Sequence, residues 1–123
     1  MAGTIVADTL THSTAGSIAT NYVVEGSAKA WARLESGTAT LLDSFGAASS
    51  TDNGTGDHTI TVTNAFDNAN YSFNGTADRS GNYLSGLTNV TTRTTTASRY
   101  RMYTDAGSLS DGDSSVLFHG DLA

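Results

Sequence analysis

The stretch SSTDNGTGDHTITVTNAF, residues 49–66, decides the fold. Its second half alternates: Ile60 and Val62 fall on one parity and Thr59, Thr61 and Thr63 on the other, which is the period of a half-buried β-strand. Before it, the polar knot DNGTGD (residues 52–57) carries Gly54 and Gly56, which adopt positive φ without steric cost. Beside them stand Asp and Asn, whose side chains bond their own backbone in tight turns. Two β-rich runs joined by such a knot form a hairpin. Asp52, Asn53 and Asp57 also carry oxygens suited to a hard cation. An EF-hand loop, however, needs a bidentate Glu at its twelfth position and flanking helices, and this sequence has neither. The knot reads as a bend between strands.

Working outward, GSAKAWARLES (residues 26–36) is the one segment whose alanines favour a helix. Its pattern decides otherwise, because Lys29, Trp31, Arg33 and Glu35 alternate with Ala28, Ala30, Ala32 and Leu34, a period of two. Further on, NANYSFNGTAD, LTNVTTRTTTASRYRMYTD and SSVLFHGDLA are short Thr-rich and aromatic runs, broken by the turn-forming RSGNYLSG and AGSLSDGDS. Seven or eight strands result, and the predicted class is all-β: an antiparallel β-sandwich or jelly-roll-like module over residues 26–123. In residues 1–25 the apolar side chains Ile5, Val6, Leu10 and Ile18 are spread thinly among Thr, Ser and Gly. That segment reads as an extended N-terminal docking arm, ordered on another surface.

Composition bounds the function. The chain has 123 residues and only 37% hydrophobic content, much of it Ala, so one domain with a modest core is expected, and with it oligomerisation. The absence of Cys excludes disulfides, thiolate metal sites and a cysteine nucleophile. A net charge of -6 with 6 Lys and Arg argues against a nucleic-acid partner, since phosphate contacts need clustered cations. Nowhere do about 20 apolar residues run together as a membrane helix requires, and the N-terminal residues lack the basic and apolar regions of an export signal. A soluble chain with no membrane partner is expected.

Residues 25–77 carry a resemblance. A Gly-Ser-Ala-Lys-Ala-Trp strand, an Asp-Ser-Phe step, a Ser-Ser-x-x-Asp-Asn-Gly-Thr-Gly-Asp hairpin and an Asn-Tyr-Ser strand follow in order. This segment resembles a module of tail-fibre and related virion proteins of tailed bacteriophages, especially marine ones. The resemblance implies a non-enzymatic, trimeric β module located on the virion. Its partners would be its own copies and another virion protein of the capsid or tail, which it joins by the arm. A short free-standing copy would equally suit a capsid decoration, cement or head-fibre protein. An alternative of another class is a module that binds host surface polysaccharide.

The remaining chemistry is sparse. His12, His58 and His119 are far apart in sequence, no His-x-His pair occurs, and neither metal nor cofactor is expected. No Gly-x-Ser-x-Gly elbow accompanies the Ser, His and Asp content, so no catalytic residue is assigned. Asp111 and Asp113 could imitate a hydrolase pair, but in SDGDS they read as an Asx-type turn. Trp31 reads as a packed core or interface residue, with a sugar-stacking platform as its sharper reading. Tyr83, set in a loop, can present its ring to a glycan. Arg93, Arg99 and Arg101 share one parity, a basic stripe for an anionic polysaccharide or for carboxylates of neighbouring copies. The candidate glycan or interface contacts are therefore Trp31, Tyr83, Arg99 and Arg101.

Overall fold

A computed structural model describes residues 3–78 and 84–123. Eight strands among them build two antiparallel four-stranded sheets that pack face to face. In chain order β1 (Thr9–His12), β2 (Gly16–Ala19) and α1 (Thr20–Gly26) precede the sandwich. The sandwich then begins with β3 (Ala30–Leu34), β4 (Leu41–Phe45), β5 (Ala47–Asp52) and β6 (Asp57–Val62). It closes with β7 (Ser72–Asp78), β8 (Leu84–Arg93), β9 (Ala97–Thr104) and β10 (Asp113–His119). One sheet has the order β4-β3-β10-β7 and the other β5-β6-β9-β8.

The strand reading of GSAKAWARLES holds for the reason its period gives. Ala30, Ala32 and Leu34 face the core, while Trp31 and Arg33 face outward. Small alanines on the inner face leave room for large partners, which come from neighbouring strands of the same sheet, Phe73, Val116 and Phe118, and from the facing sheet, Ile60, Tyr100 and Met102. Phe66 and Tyr71 stack at 4.3 Å, and Phe73 meets Phe118 edge-on at 5.0 Å and Tyr100 at 5.4 Å, which locks the layers together. The Tyr100 hydroxyl shares a 2.7 Å hydrogen bond with Ser114 Oγ across the core. Burial pushes the Tyr100 phenol up to about 12, so it stays protonated and able to donate. These core side chains are buried within the one chain.

The chain changes sheets between β4 and β5 at Gly46. Its φ of +69° suits glycine, and a Cβ there would stand 2.6 Å from the Lys29 carbonyl oxygen. The DNGTGD knot is the β5–β6 hairpin, with Asp52 opposite His58 and Gly54 and Gly56 both at positive φ. Asn53 N–H donates to the Asp57 carbonyl at 2.8 Å, and Asp52 Oδ1 accepts from Gly54 N–H at 2.9 Å.

The N-terminal segment departs from the extended arm expected of it. It folds back on itself, β1 pairing with β2 from Thr9 opposite Ala19 to His12 opposite Gly16, and the chain continues into the short helix α1. Local chemistry explains the reversal: Gly16 takes φ +91°, and His12 Nδ1 accepts from Ala15 N–H at 3.0 Å across the turn. The helix buries no residue and has no side-chain cap.

Candidate functional site

Three surfaces concentrate the chemistry the sequence offered. The first is the N-terminal segment. Ile5 and Val6 are 90% and 91% exposed, and Leu10 and Ile18 are also exposed. Ile5, Val6 and Leu10 line a shallow apolar groove with Val23 and Val24 of α1, so β1 and the helix present one continuous apolar surface. None of these side chains belongs to the sandwich core.

The second is an ion-pair cluster on the outer face of the β5-β6-β9-β8 sheet. Arg99 and Arg101 alternate with the buried Ser98, Tyr100 and Met102, as their parity in the sequence predicts. Their charge does not stand free. Asp57, the last residue of the knot, accepts from Arg99 Nε at 2.6 Å and Nη2 at 2.9 Å, and from Arg101 Nε at 2.6 Å. Antiparallel pairing places Asp57 directly opposite Arg101. The hydrogen bonds from Arg99, reinforced by Arg101 against the opposing cost of burial, hold the Asp57 carboxyl below its ordinary value of 3.8. The basic stripe thus meets a carboxylate of its own chain. Arg93 lies on β8, where its guanidinium stands 5.9 Å from the Tyr71 ring centroid. It does not join the stripe.

Asp111 and Asp113 do not form the local turn expected of them. Asp111 Oδ1 accepts from Gly56 N–H at 2.6 Å, and Asp113 Oδ1 from Ser36 N–H at 2.9 Å. Each carboxylate pins a turn distant in sequence, a contact that only the closed sandwich creates. The three histidines also go to separate places: His12 to the β1–β2 turn, His58 to the core and His119 to the outer face of β10. Among the described residues no group of three His, Asp or Glu side chains is placed to hold a metal ion. No described helix is long and apolar enough to cross a membrane.

The third surface is the outer face of the β4-β3-β10-β7 sheet. Strand register aligns Phe45, Trp31, Leu117 and Asn74 in one row across all four strands. Phe45 is 61% and Leu117 43% exposed, and Trp31 is half-buried between them. The next row holds Asp43, Arg33, Ser115 and Thr76. Trp31 is therefore not a core residue; it sits at the middle of an exposed platform. Arg99 and Arg101 lie on the other sheet, so the proposed contacts are not brought together, and Tyr83 lies outside the described residues. Phe45 and Leu117 were not singled out in the sequence. The signal in each case is parity with Trp31, readable only once β3 is known to pair with β4 and β10.

Against known protein families, curated proteins and solved structures, the chain has no match.

Proposed function

We propose that this chain is a non-enzymatic structural protein of a bacteriophage virion surface, a tail-fibre-like β module that acts as a homotrimer and is held on the particle by its N-terminal segment. The resemblance of residues 25–77 to such modules supports the virion assignment. The observation that carries the docking role is the contrast between the two parts of the chain. The sandwich closes a buried apolar core and leaves only scattered apolar side chains such as Leu42, Phe45 and Leu117 exposed, whereas residues 3–26 bury none and hold Ile5, Val6, Tyr22 and Val24 in solvent. A lone two-stranded hairpin is marginal in water, and its open edges and apolar face gain stability when a larger surface covers them. Strand addition or groove binding to a capsid or tail protein would supply that surface.

The test is immunogold labelling of intact particles with antibodies to this chain, repeated on particles carrying a version that lacks residues 1–26. Label on particles with the full chain and its loss with the shortened one is the expected result. Retained label on the shortened chain overturns the docking role, and no label on either overturns the virion assignment. Label on the head rather than the tail assigns the chain as a decoration or head-fibre protein.

A further inference from the structure

The row Phe45, Trp31 and Leu117 ends beside a cleft. Continuing along the outer face of β10, two residues beyond Leu117, is His119, opposite Ser72 of β7. His119 lines a cleft of about 350 Å³ with Asn68, Asn70, Tyr71, Asp121 and, from α1, Glu25. An exposed apolar row with two aromatic side chains therefore lies two residues along β10 from a hollow of ligand size whose walls carry amide, carboxylate and imidazole groups.

We propose that this face binds a neutral oligosaccharide, with sugar rings stacked on Trp31 and Phe45 and hydroxyls held in the cleft at His119. The occupant follows from size, chemistry and charge. A stable protein partner buries roughly 20–30 residues a side with an apolar centre. Here the apolar centre is three side chains on a sheet of four short strands, too little for a second copy of this chain yet enough for two or three sugar rings. A sugar ring has an apolar C–H face and a hydroxyl edge, the same division found between the platform and the cleft. The side chains of Asn68, Asn70 and Asp121 supply the donors and acceptors that hydroxyls need. Glu25 and Asp121 place negative charge in the cleft, which disfavours phosphate or uronate groups there, while Lys29 and Arg33 flank Trp31 on the platform and balance Asp43 and Asp113 beside it. This site would serve the virion reading as a receptor contact, and it is physically separate from the apolar docking groove at Ile5, Val6 and Val24.

Trp31 is the only tryptophan, so its emission reports on the platform alone. The full chain is titrated with hexaoses of glucose, mannose and N-acetylglucosamine. A saturable blue shift with at least one of them is expected, weakened about tenfold in Phe45→Ala, a loss of about 1.4 kcal/mol. Because Phe45 is largely exposed, that variant keeps the wild-type thermal transition. Asn70→Ala, which leaves the platform intact, weakens the same sugar through the cleft. No saturable change with any hexaose at millimolar concentration overturns the proposal. So does emission that follows protein concentration instead of sugar, with the mass by light scattering falling in Phe45→Ala, which would assign the face to contacts between copies. Particle labelling is unaffected by Phe45→Ala, so failure here leaves the docking role standing.

Discussion

Two buried ionisable residues at the end of one hairpin, Asp57 and His58, behave in opposite ways. Asp57 faces outward into two guanidinium groups and is satisfied by three hydrogen bonds. Asp57→Asn keeps the shape and removes the charge, leaving two arginines without their counterion. The expected cost is about 1–2 kcal/mol, the upper figures for charged hydrogen bonds being discounted because both arginines are partly solvated. Urea unfolding at neutral pH measures it. The native carboxyl titrates below its ordinary 3.8, so its stabilisation is complete above that value and is lost as pH falls through the native-state value. His58 faces inward, against the edge of Tyr100 at 5.9 Å, and neither ring nitrogen has a hydrogen-bond partner among the described residues. Burial pushes its pKa below 6.5, outweighing the opposing pull of Asp52, Asp111 and Asp57. The unfolded chain therefore takes up the proton first, and stability falls as pH is lowered through 6.5 toward the native-state value. In His58→Phe, which keeps the aromatic contact, the thermal midpoint should no longer drop across that window. An unchanged drop would place the acid sensitivity elsewhere.

At the scale of the element, the hairpin depends on glycine at one point above all. Gly56 sits at φ +63°, and a Cβ there would stand 2.8 Å from both the nitrogen and the oxygen of Ser110 and 2.9 Å from the Met102 carbonyl. These are backbone atoms of a neighbouring chain segment, so rotating a side chain cannot relieve the clash. Gly56→Ala should cost about 1–3 kcal/mol from the left-handed backbone alone, and more from the displaced strand end. Gly54→Ala has open space around it but sits at φ +126°, where an L-residue is penalised at least as much as at +63°, so a larger loss at position 56 in chemical denaturation comes from the packing contact. The sequence made this hairpin legible because everything that defines it lies within 18 consecutive residues. The alternation of Ala30, Ala32 and Leu34 was legible for the same reason. What could not be read was which distant strands pair. Asp57 meets Arg101 only because β6 lies beside β9, and Trp31 meets Leu117 only because β3 lies beside β10. Local periodicity fixes which face a residue takes and carries no information about its neighbour across the sheet, so the ion cluster and the platform both stayed hidden.

For the whole molecule, the division between core and N-terminal segment predicts how the chain comes apart. Every residue of the core cluster lies at or beyond Ala30, and β3 is held on both sides by β4 and β10. The junction is anchored within the sandwich, where Lys29 N–H donates to the Phe118 carbonyl at 2.8 Å. Removing residues 1–26 takes away no core side chain and no strand of either sheet. The shortened chain should therefore unfold in a single transition within a few degrees of the full one, since a change of about 1 kcal/mol moves the midpoint of a domain this size by roughly 4–8 °C. A collapse of the transition would mean that the segment packs as part of the core. Light scattering on the two proteins then locates the association. If the full chain has three times the monomer mass and the shortened one is a monomer, the exposed apolar residues of the segment join the copies. If both are trimers, the sandwich faces join them, and the segment keeps its apolar surface for the particle alone. A monomer for the full chain at micromolar concentration would remove the trimer, leaving the docking role to be judged by particle labelling.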